Sequence, residues 1–394
     1  MSDRTRSITA RWVFPGSSEP IADSTIQISD GLIEDIHSSA DPNAEDAGNV
    51  AVIPGLINAH THLEFSDLRA PLGPVDSFTG WIQSVVSHRR GSDSNVDEII
   101  ADGIAESAAA GTTTIGETAT QSGQPAAKSP GGSPRIVSFR ECLAATMDSV
   151  ADQLKIATDH LLQRATDRFI PALSPHAPYS VCNELFYGLT KLARERNVPL
   201  AMHLFETPEE MQFLDKADGP FVDMLQTFGV WDSSRATSML QPMDYLKELA
   251  TCPHALVVHG NYLTSEQCEF IGGHDNISVV FCPRTHAYFN HSPHCWQHLL
   301  AAGANVAIGT DSRASNPDLS VFEELKWLAR RFPEIDRRII LQMATVNSAW
   351  AMGLCDSGQL EVGLNAEMTV VQLPDADGDP YELLFHPDSR VVLV

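Results

Sequence analysis

Positive charge is scarce in this chain of 394 residues: 26 lysines and arginines stand against 51 aspartates and glutamates, for a formal net charge of -25. So acidic a surface repels phosphate backbones, which argues against nucleic acid as a partner and leaves small molecules as the expected ones. Cysteine offers no framework either. The seven present, at positions 142, 182, 252, 268, 282, 295 and 355, are odd in number, scattered and never spaced as CxxC. A disulfide scaffold and a thiolate zinc site are therefore not expected, and the cysteines read as small buried hydrophobes. No stretch approaches the ~18 consecutive apolar residues of a membrane helix, and the start, MSDRTRSITARWVF, lacks the apolar core of about 7 to 15 residues found in a secretory signal. The expectation is a soluble, cytoplasmic protein without membrane contact, and a homodimer is compatible with it.

Compositional bias is missing too. With 43% hydrophobic and 20% charged residues the chain has the balance of a globular protein and the length for a large core. From Ser7 to Ile36 it reads as short strands, with Asp30-Gly31 as a hairpin turn between alternating apolar residues. Ser38 to Asn49 is a polar connection. A strand-then-helix rhythm follows, with strands expected at Val52–His60, Thr112–Glu117, Arg135–Arg140, Phe169–His176, Pro199–His203, Ala255–His259, Ile277–Cys282 and Asn305–Asp311. Helices are expected at Asn95–Ala110, Asp148–Arg168, Asn183–Arg196, Ser265–Gly272 and Asp318–Arg331. Parallel strands alternating with helices in this way make a (β/α)8 TIM barrel. The tail from Gly358 returns to short strands with glycine turns. It is expected to join the N-terminal strands in one small β-sandwich lobe, residues 1–51 plus 358–394, with the barrel at 52–357.

The stretch that organises the rest is His60-Thr61-His62. Alternate side chains of a strand share a face, so the two imidazoles project together and form half a metal site. Such a pair alone is common among structural histidines, and other ligands must decide. His176, His203, His259 and Asp311 each close a later predicted strand, on the barrel face where active sites are built. Three imidazoles and a carboxylate, His60, His62, His203 and Asp311, suit one divalent cation, zinc, with a position open to water. Asp311 has a competing role as a helix cap, but Asn316 with Pro317 after it fits that role better. Glu206, three residues after His203, is the candidate general acid and base. The competing reading makes it a first-turn acid of the charged helix that follows. His259 is expected to orient water or stabilise developing charge, and His176 to touch substrate. The long segment Phe205–Lys247 is a candidate lid.

Taken together, PGLINAHTH, SPHAPYS, HLFET, VVHG and GTDSRASNPDLS resemble the motifs of the amidohydrolase superfamily, and the resemblance extends through ATVNSAWAMG to the closing GQLEVG. The branch most similar is the mononuclear one of chlorohydrolases and amino-purine deaminases, including adenosylhomocysteine and aminofutalosine deaminases. That resemblance implies a barrel holding one Zn2+ or Fe2+ at the positions of His60, His62, His203 and Asp311, with Glu206 as proton shuttle and His259 beside the water. The fourth strand ends in His176 with no lysine of the kind that bridges two metals, so one metal is expected.

On the substrate side the chain departs from that branch. An asparagine-rich turn after the seventh strand is usual there, whereas this sequence reads FCPRTHAYFNHSPH from Phe281 to His294. Arg284 and His286 are candidate substrate ligands, an arginine fork being suited to a carboxylate or phosphate; a salt bridge to nearby acids is the alternative for Arg284. Glu64 shares the alternation of His60 and His62 and is a third candidate. The reading is a metal-dependent hydrolase that removes an amino group from an aromatic heterocycle of the aminopurine nucleoside kind. Alternatives are hydrolysis of an amide, cyclic amide or carbon-chlorine bond by the same chemistry, or a noncatalytic metal-binding barrel, for which Glu206 and His259 would be superfluous.

Overall fold

The computed structural model describes residues 5–73, 76–91, 95–123 and 133–392. β1 (Arg6–Val13), β2 (Ile21–Ser29), β3 (Leu32–His37), β4 (Glu45–Asp46) and β5 (Val50–Pro54) open the chain. Asp30 and Gly31 both take positive φ, 49° and 84°, and Ser29 pairs with Leu32. That is the two-residue hairpin read from the sequence, in the conformation whose twist matches the strands it joins.

Eight parallel strands then follow in spatial as well as sequence order: β6 (Leu56–Thr61), β7 (Thr112–Ala119), β8 (Arg135–Cys142), β9 (Phe169–Pro175), β10 (Leu200–Leu204), β11 (Ala255–His259), β12 (Ile277–Phe281) and β13 (Asn305–Ile308). The ladder is open between β13 and β6, but the N–H groups of Thr310 and Asp311 both donate to the carbonyl of His60, at 3.1 and 3.0 Å. The barrel thus closes at the rim that carries the polar residues. β14 (Met368–Gln372) and β15 (Arg390–Val392) return to the first sheet, β14 pairing antiparallel with β5 and with β15. The result is a (β/α)8 barrel with a seven-stranded lobe made from both ends of the chain.

The strand expected at Val52–His60 is two strands. Val52, Ile53 and Pro54 pair with β14 and, through Val52, with β1, so they belong to the lobe sheet. Gly55 makes the crossing, in a space where an added Cβ would lie 2.2 Å from the Thr113 hydroxyl; only glycine permits so close a passage. The last of the expected helices also starts later, at Val321, because Ser320 caps it by accepting from the Glu323 N–H. Asn316 is buried instead, its amide donating to Thr310 and Glu324.

Two layers of apolar residues hold the barrel. Val137, Phe139, Ala172, Ala201 and Ala307 belong to one buried cluster. Counting by twos along β8, β9 and β10 from Phe139, Ala172 and Ala201 leads to Glu141, His176 and His203 at the strand ends. Leu173, Met202, Val257, Val279 and Val306 belong to a larger cluster with Leu185, Leu189, Leu249, Ile271 and Leu325 of the surrounding helices. Each strand is buried on both sides, which fixes its register and hence which residue emerges at the rim. Among the described residues no helix is long and apolar enough to cross a membrane.

Candidate active site

His60, His62 and His203 converge at the rim, their ligand nitrogens all within 4.8 Å of one another. Nε2 of His62 and Nε2 of His203 are 3.2 Å apart, and Asp311 Oδ1 lies 3.7 Å from His60 Nε2 and 3.8 Å from His62 Nε2. His203 Nδ1 faces the His176 carbonyl at 3.1 Å. A carbonyl only accepts, so the proton sits on Nδ1 and the Nε2 lone pair is bare. His60 Nδ1 meets Thr118 Oγ1 at 3.2 Å, while its Nε2 is buried with no hydrogen-bond partner. Burial first, then the neighbouring imidazoles, pushes the pKa of His62 and His203 well below the histidine range, so both are neutral. Bare lone pairs beside a carboxylate are what a divalent cation requires, and ligand atoms around a tetrahedral ion bound at ~2.0–2.1 Å stand roughly 3.3 Å apart. The residues present fit such an ion.

Asp311 is held from behind, its oxygens accepting from the Ser312 N–H at 2.7 Å and the Ser315 hydroxyl at 2.9 Å. Burial opposes its ionisation, but the contacts with His60, His259 and Ser315 outweigh it and the carboxyl stays below the usual aspartate range. The backbone is bent to deliver these groups. Phe205, His259 and Asp311 take φ of 60°, 70° and 57°, a region that disfavours residues with a Cβ and clusters at functional sites.

Glu206 and His259 form the adjoining pair, Oε1 to Nε2 at 3.4 Å, both buried. Burial, then the charges of Asp311 and Glu210, raise the Glu206 pKa well above the carboxylate range. Burial lowers His259 to about 3, against the pull of Asp311. His176 packs beside the His203 ring, centroids 5.1 Å apart, with Nδ1 2.5 Å from the Ser180 hydroxyl and Nε2 3.8 Å from Glu141 Oε1.

Above them opens a cavity of about 410 Å³, within the size range of small-molecule sites. His62, His176, His203, Glu206, His259 and Asp311 form its polar floor. Its walls are apolar, from Phe65, Phe78, Trp81, Ile82, Val85 and Leu143 and from Met224, Leu225 and Phe228. The last three come from the Phe205–Lys247 segment, which therefore makes one wall of the chamber.

Three expected substrate ligands lie elsewhere. Arg284 does not line the chamber. Its guanidinium grips Asp318 with both terminal nitrogens and Glu324 through Nε, at 2.6 to 3.0 Å, because the helix Pro283–Tyr288 starts directly after β12 and turns the side chain outward. His286, on the same helix, bonds the Ser292 carbonyl at 2.9 Å. Glu64 is buried under Arg89, Oε1 to Nη2 at 2.6 Å, and it is Arg89 that faces the chamber.

Two groups were missed in the sequence. The helix Phe78–Gly91 brings Trp81 and Arg89 to the chamber; its run of apolar residues at helical spacing was the available signal. Glu141 ends β8 as the histidines end their strands, and the same rule, applied to acids, would have found it. His294 is a supporting residue, Nε2 2.8 Å from the His259 carbonyl.

The sequence profile of the Amidohydrolase family matches residues 51–392. The chain belongs to the amidohydrolase family. It is 28% identical over 383 residues to the 5-methylthioadenosine/S-adenosylhomocysteine deaminase of Pyrococcus furiosus, spanning 92% of this chain and 85% of that one. Among solved structures it resembles Helicobacter pylori aminofutalosine deaminase in complex with methylthio-coformycin, with a TM-score of 0.81, 23% identity and coverage of 98% and 97%. It also resembles a mutant atrazine chlorohydrolase of Arthrobacter aurescens complexed with zinc and atraton, with a TM-score of 0.77, 19% identity and coverage of 98% and 92%. These structural likenesses are likenesses of fold. This amidohydrolase is a metal-dependent hydrolase acting on carbon-nitrogen bonds other than peptide bonds.

Proposed function

We propose that this amidohydrolase is a hydrolytic deaminase of an amino-substituted heterocycle of the aminopurine nucleoside kind. His60, His62, His203 and Asp311 would hold one divalent cation, Zn2+ in preference to Fe2+, since neutral imidazoles and a carboxylate suit zinc. When bound, that ion supplies Lewis acidity and a water ionised near neutral pH.

The protein's own residues do the rest. Glu206, whose burial makes it hold a proton more tightly than an ordinary carboxylate, is the proton carrier: as the carboxylate it takes a proton as water adds to the carbon bearing the amino group, and as the resulting acid it passes that proton to the departing nitrogen. The C–O bond forms, the C–N bond breaks, the second proton of the water ends on the adjacent ring nitrogen, and ammonia leaves a ring carbonyl behind. Neutral His259 donates or accepts beside Glu206 and orients the attacking oxygen. His176, its Nδ1 tied to Ser180, presents Nε2 to the heterocycle. The aromatic and aliphatic walls fit a flat, weakly polar ring and exclude bulk water from the reaction.

One observation carries the reading: an acid and a neutral imidazole 3.4 Å apart stand directly beside the converged lone pairs of His60, His62 and His203. A metal-binding scaffold has no use for that second pair. The deaminase relative of Pyrococcus furiosus supports the choice of substrate class. The test is ammonia release from a panel of adenosine, 5-methylthioadenosine, S-adenosylhomocysteine and a pterin, run beside simple amides and a chlorotriazine. Ammonia from the aminopurines supports deamination; silence there with turnover of the amide or the chlorotriazine rejects it.

A further inference from the structure

We infer that Glu210 is a positioning residue that clamps the strained turn carrying Glu206, and so fixes the proton carrier against His259. The inference rests on the proposed role of Glu206. The turn leaves β10 at Leu204 and enters the helix Pro208–Lys216, capped by Thr207. Phe205 has φ of 60°, a conformation that is unfavourable for a residue with a Cβ and persists only where the surroundings impose it. Both residues of the turn are buried, so each of their backbone groups needs a partner.

All four have one. The Phe205 N–H donates to Glu210 Oε1 and the Glu206 N–H to Glu210 Oε2, both at 2.8 Å. The Phe205 carbonyl accepts from the Tyr262 N–H at 3.0 Å, and the Glu206 carbonyl from the Asn261 amide at 2.9 Å. The two donors belong to the loop immediately after His259. One carboxylate thus holds the turn from below while the His259 loop holds it from above, and the Glu206 to His259 distance is set between them.

In an ordinary capping arrangement the acid three residues into a helix reaches back to the N–H of its own cap. Glu210 occupies that third position after Thr207, whose hydroxyl accepts from the Glu210 N–H at 3.1 Å, yet its carboxylate passes the cap and takes the two N–H groups before it. Its side chain has no exposure to solvent at all. Burying a carboxyl is unfavourable; burial raises this one to about 7 although both N–H bonds favour the charged form. Stabilising the helix alone would not require it, since Glu209 and the Thr207 cap serve that end. What the burial achieves is a fixed Glu206.

The test compares Glu210→Ala and Glu210→Gln with the parent protein in metal content, amide hydrogen exchange at Phe205 and Glu206, and steady-state turnover of the panel nucleoside used fastest. For Glu210→Ala the expectation is unchanged metal, exchange at both amides faster by about tenfold or more, and kcat down about 30- to 100-fold with KM within about threefold, since a carrier displaced by about 1 Å costs up to ~10²-fold in rate. Glu210→Gln keeps the volume but opposes an NH2 group to one of the two N–H donors. Exchange should rise at one amide and kcat should fall by several-fold, a partial rescue relative to alanine. If the alanine variant does not fold, the glutamine variant carries the test. Unchanged exchange at both amides, or kcat within about twofold of the parent, overturns the clamp, and so does loss of metal in Glu210→Gln, which would mean action through His203. Glu206→Gln run in parallel separates the two ideas. Full turnover there removes Glu206 as proton carrier, whereas the exchange data still decide whether Glu210 holds the turn.

Discussion

The floor and the walls of the chamber are built by different means. Floor residues, and His60 beside them, stand at or just past the ends of buried parallel strands, and several are held by a second group: His60 by Thr118, His203 by the His176 carbonyl, Asp311 by Ser312 and Ser315, Glu206 through Glu210 and Asn261. Most wall residues come from helices inserted between strands, Phe78–Gly91 on one side and Pro220–Thr227 on the other, and apart from Arg89 those helices meet the cavity mainly with apolar side chains. Strands packed on both faces cannot shift without unmaking the core, whereas inserted helices can change sequence and length at small cost. On the proposed function, reaction chemistry would reside in the floor and the choice of substrate in the walls.

The largest effect expected of any single change is at Asp311. Asp311→Ala removes the one carboxylate among the expected ligands and leaves neutral imidazoles alone to bind the cation. Metal per chain, measured by atomic emission after dialysis, should fall at least about tenfold, in the range typical for damaged sites, and turnover should fall with it. Full occupancy in that variant would show that the four residues do not form one site. A chelator should act on the parent protein in the same way, and added zinc should restore it. Glu206→Gln comes next. The amide cannot carry the proton but fills the same space, so metal should stay near one per chain while kcat falls by about 10² to 10⁴. Loss of metal in this variant would blur floor chemistry into floor structure and weaken the assigned roles.

A wall residue should behave otherwise. Trp81→Ala removes a large apolar face from the chamber, and with it the indole's 3.2 Å hydrogen bond to the Ala314 carbonyl, but none of the expected metal ligands nor the Glu206–His259 pair. KM for the preferred nucleoside should rise by about tenfold or more, as truncating an aromatic contact costs on the order of 1 to 3 kcal/mol, with kcat within about threefold and metal unchanged. If kcat fell like that of Glu206→Gln while KM held, the separation of floor from walls would not stand.

The same division explains what could be read from sequence. A strand with both faces buried is an apolar run of defined length, and its last polar residue is placed at the rim by geometry alone. His60, His62, His176, His203, His259 and Asp311 were all legible for that reason. So was the lobe, since Asp30-Gly31 declares its own turn. The walls carry no such rule. Trp81 and Arg89 sit on a helix whose side chains could face the chamber, the lobe or solvent, and only packing decides among these. Arg284 illustrates the same limit from the other direction. It lies three residues past the end of β12, much as Glu206 lies two past the end of β10, yet a helix that begins at once turns it away, whereas the bent backbone at Phe205 turns Glu206 inward.

Arg284 also supplies the smallest expected effect on turnover and the sharpest test of the boundary. Its guanidinium lies between Asp318 and the fully buried Glu324, which accepts in addition from the Asn316 amide and the Arg284 N–H. Replacing it with methionine keeps much of the packing but leaves the Glu324 charge without its cation. Breaking a buried pair from one side costs about 3 kcal/mol or somewhat more, so the urea midpoint at fixed zinc should drop visibly. Asp318 is more than a third exposed and contributes little to that loss. The side chain touches no chamber residue named above, so kcat and KM should both stay within about twofold of the parent, the scatter expected for a site that makes no contact with the transition state. A variant with parental stability and a KM raised tenfold would return Arg284 to the substrate and move the boundary of the chamber beyond the helix that now hides it.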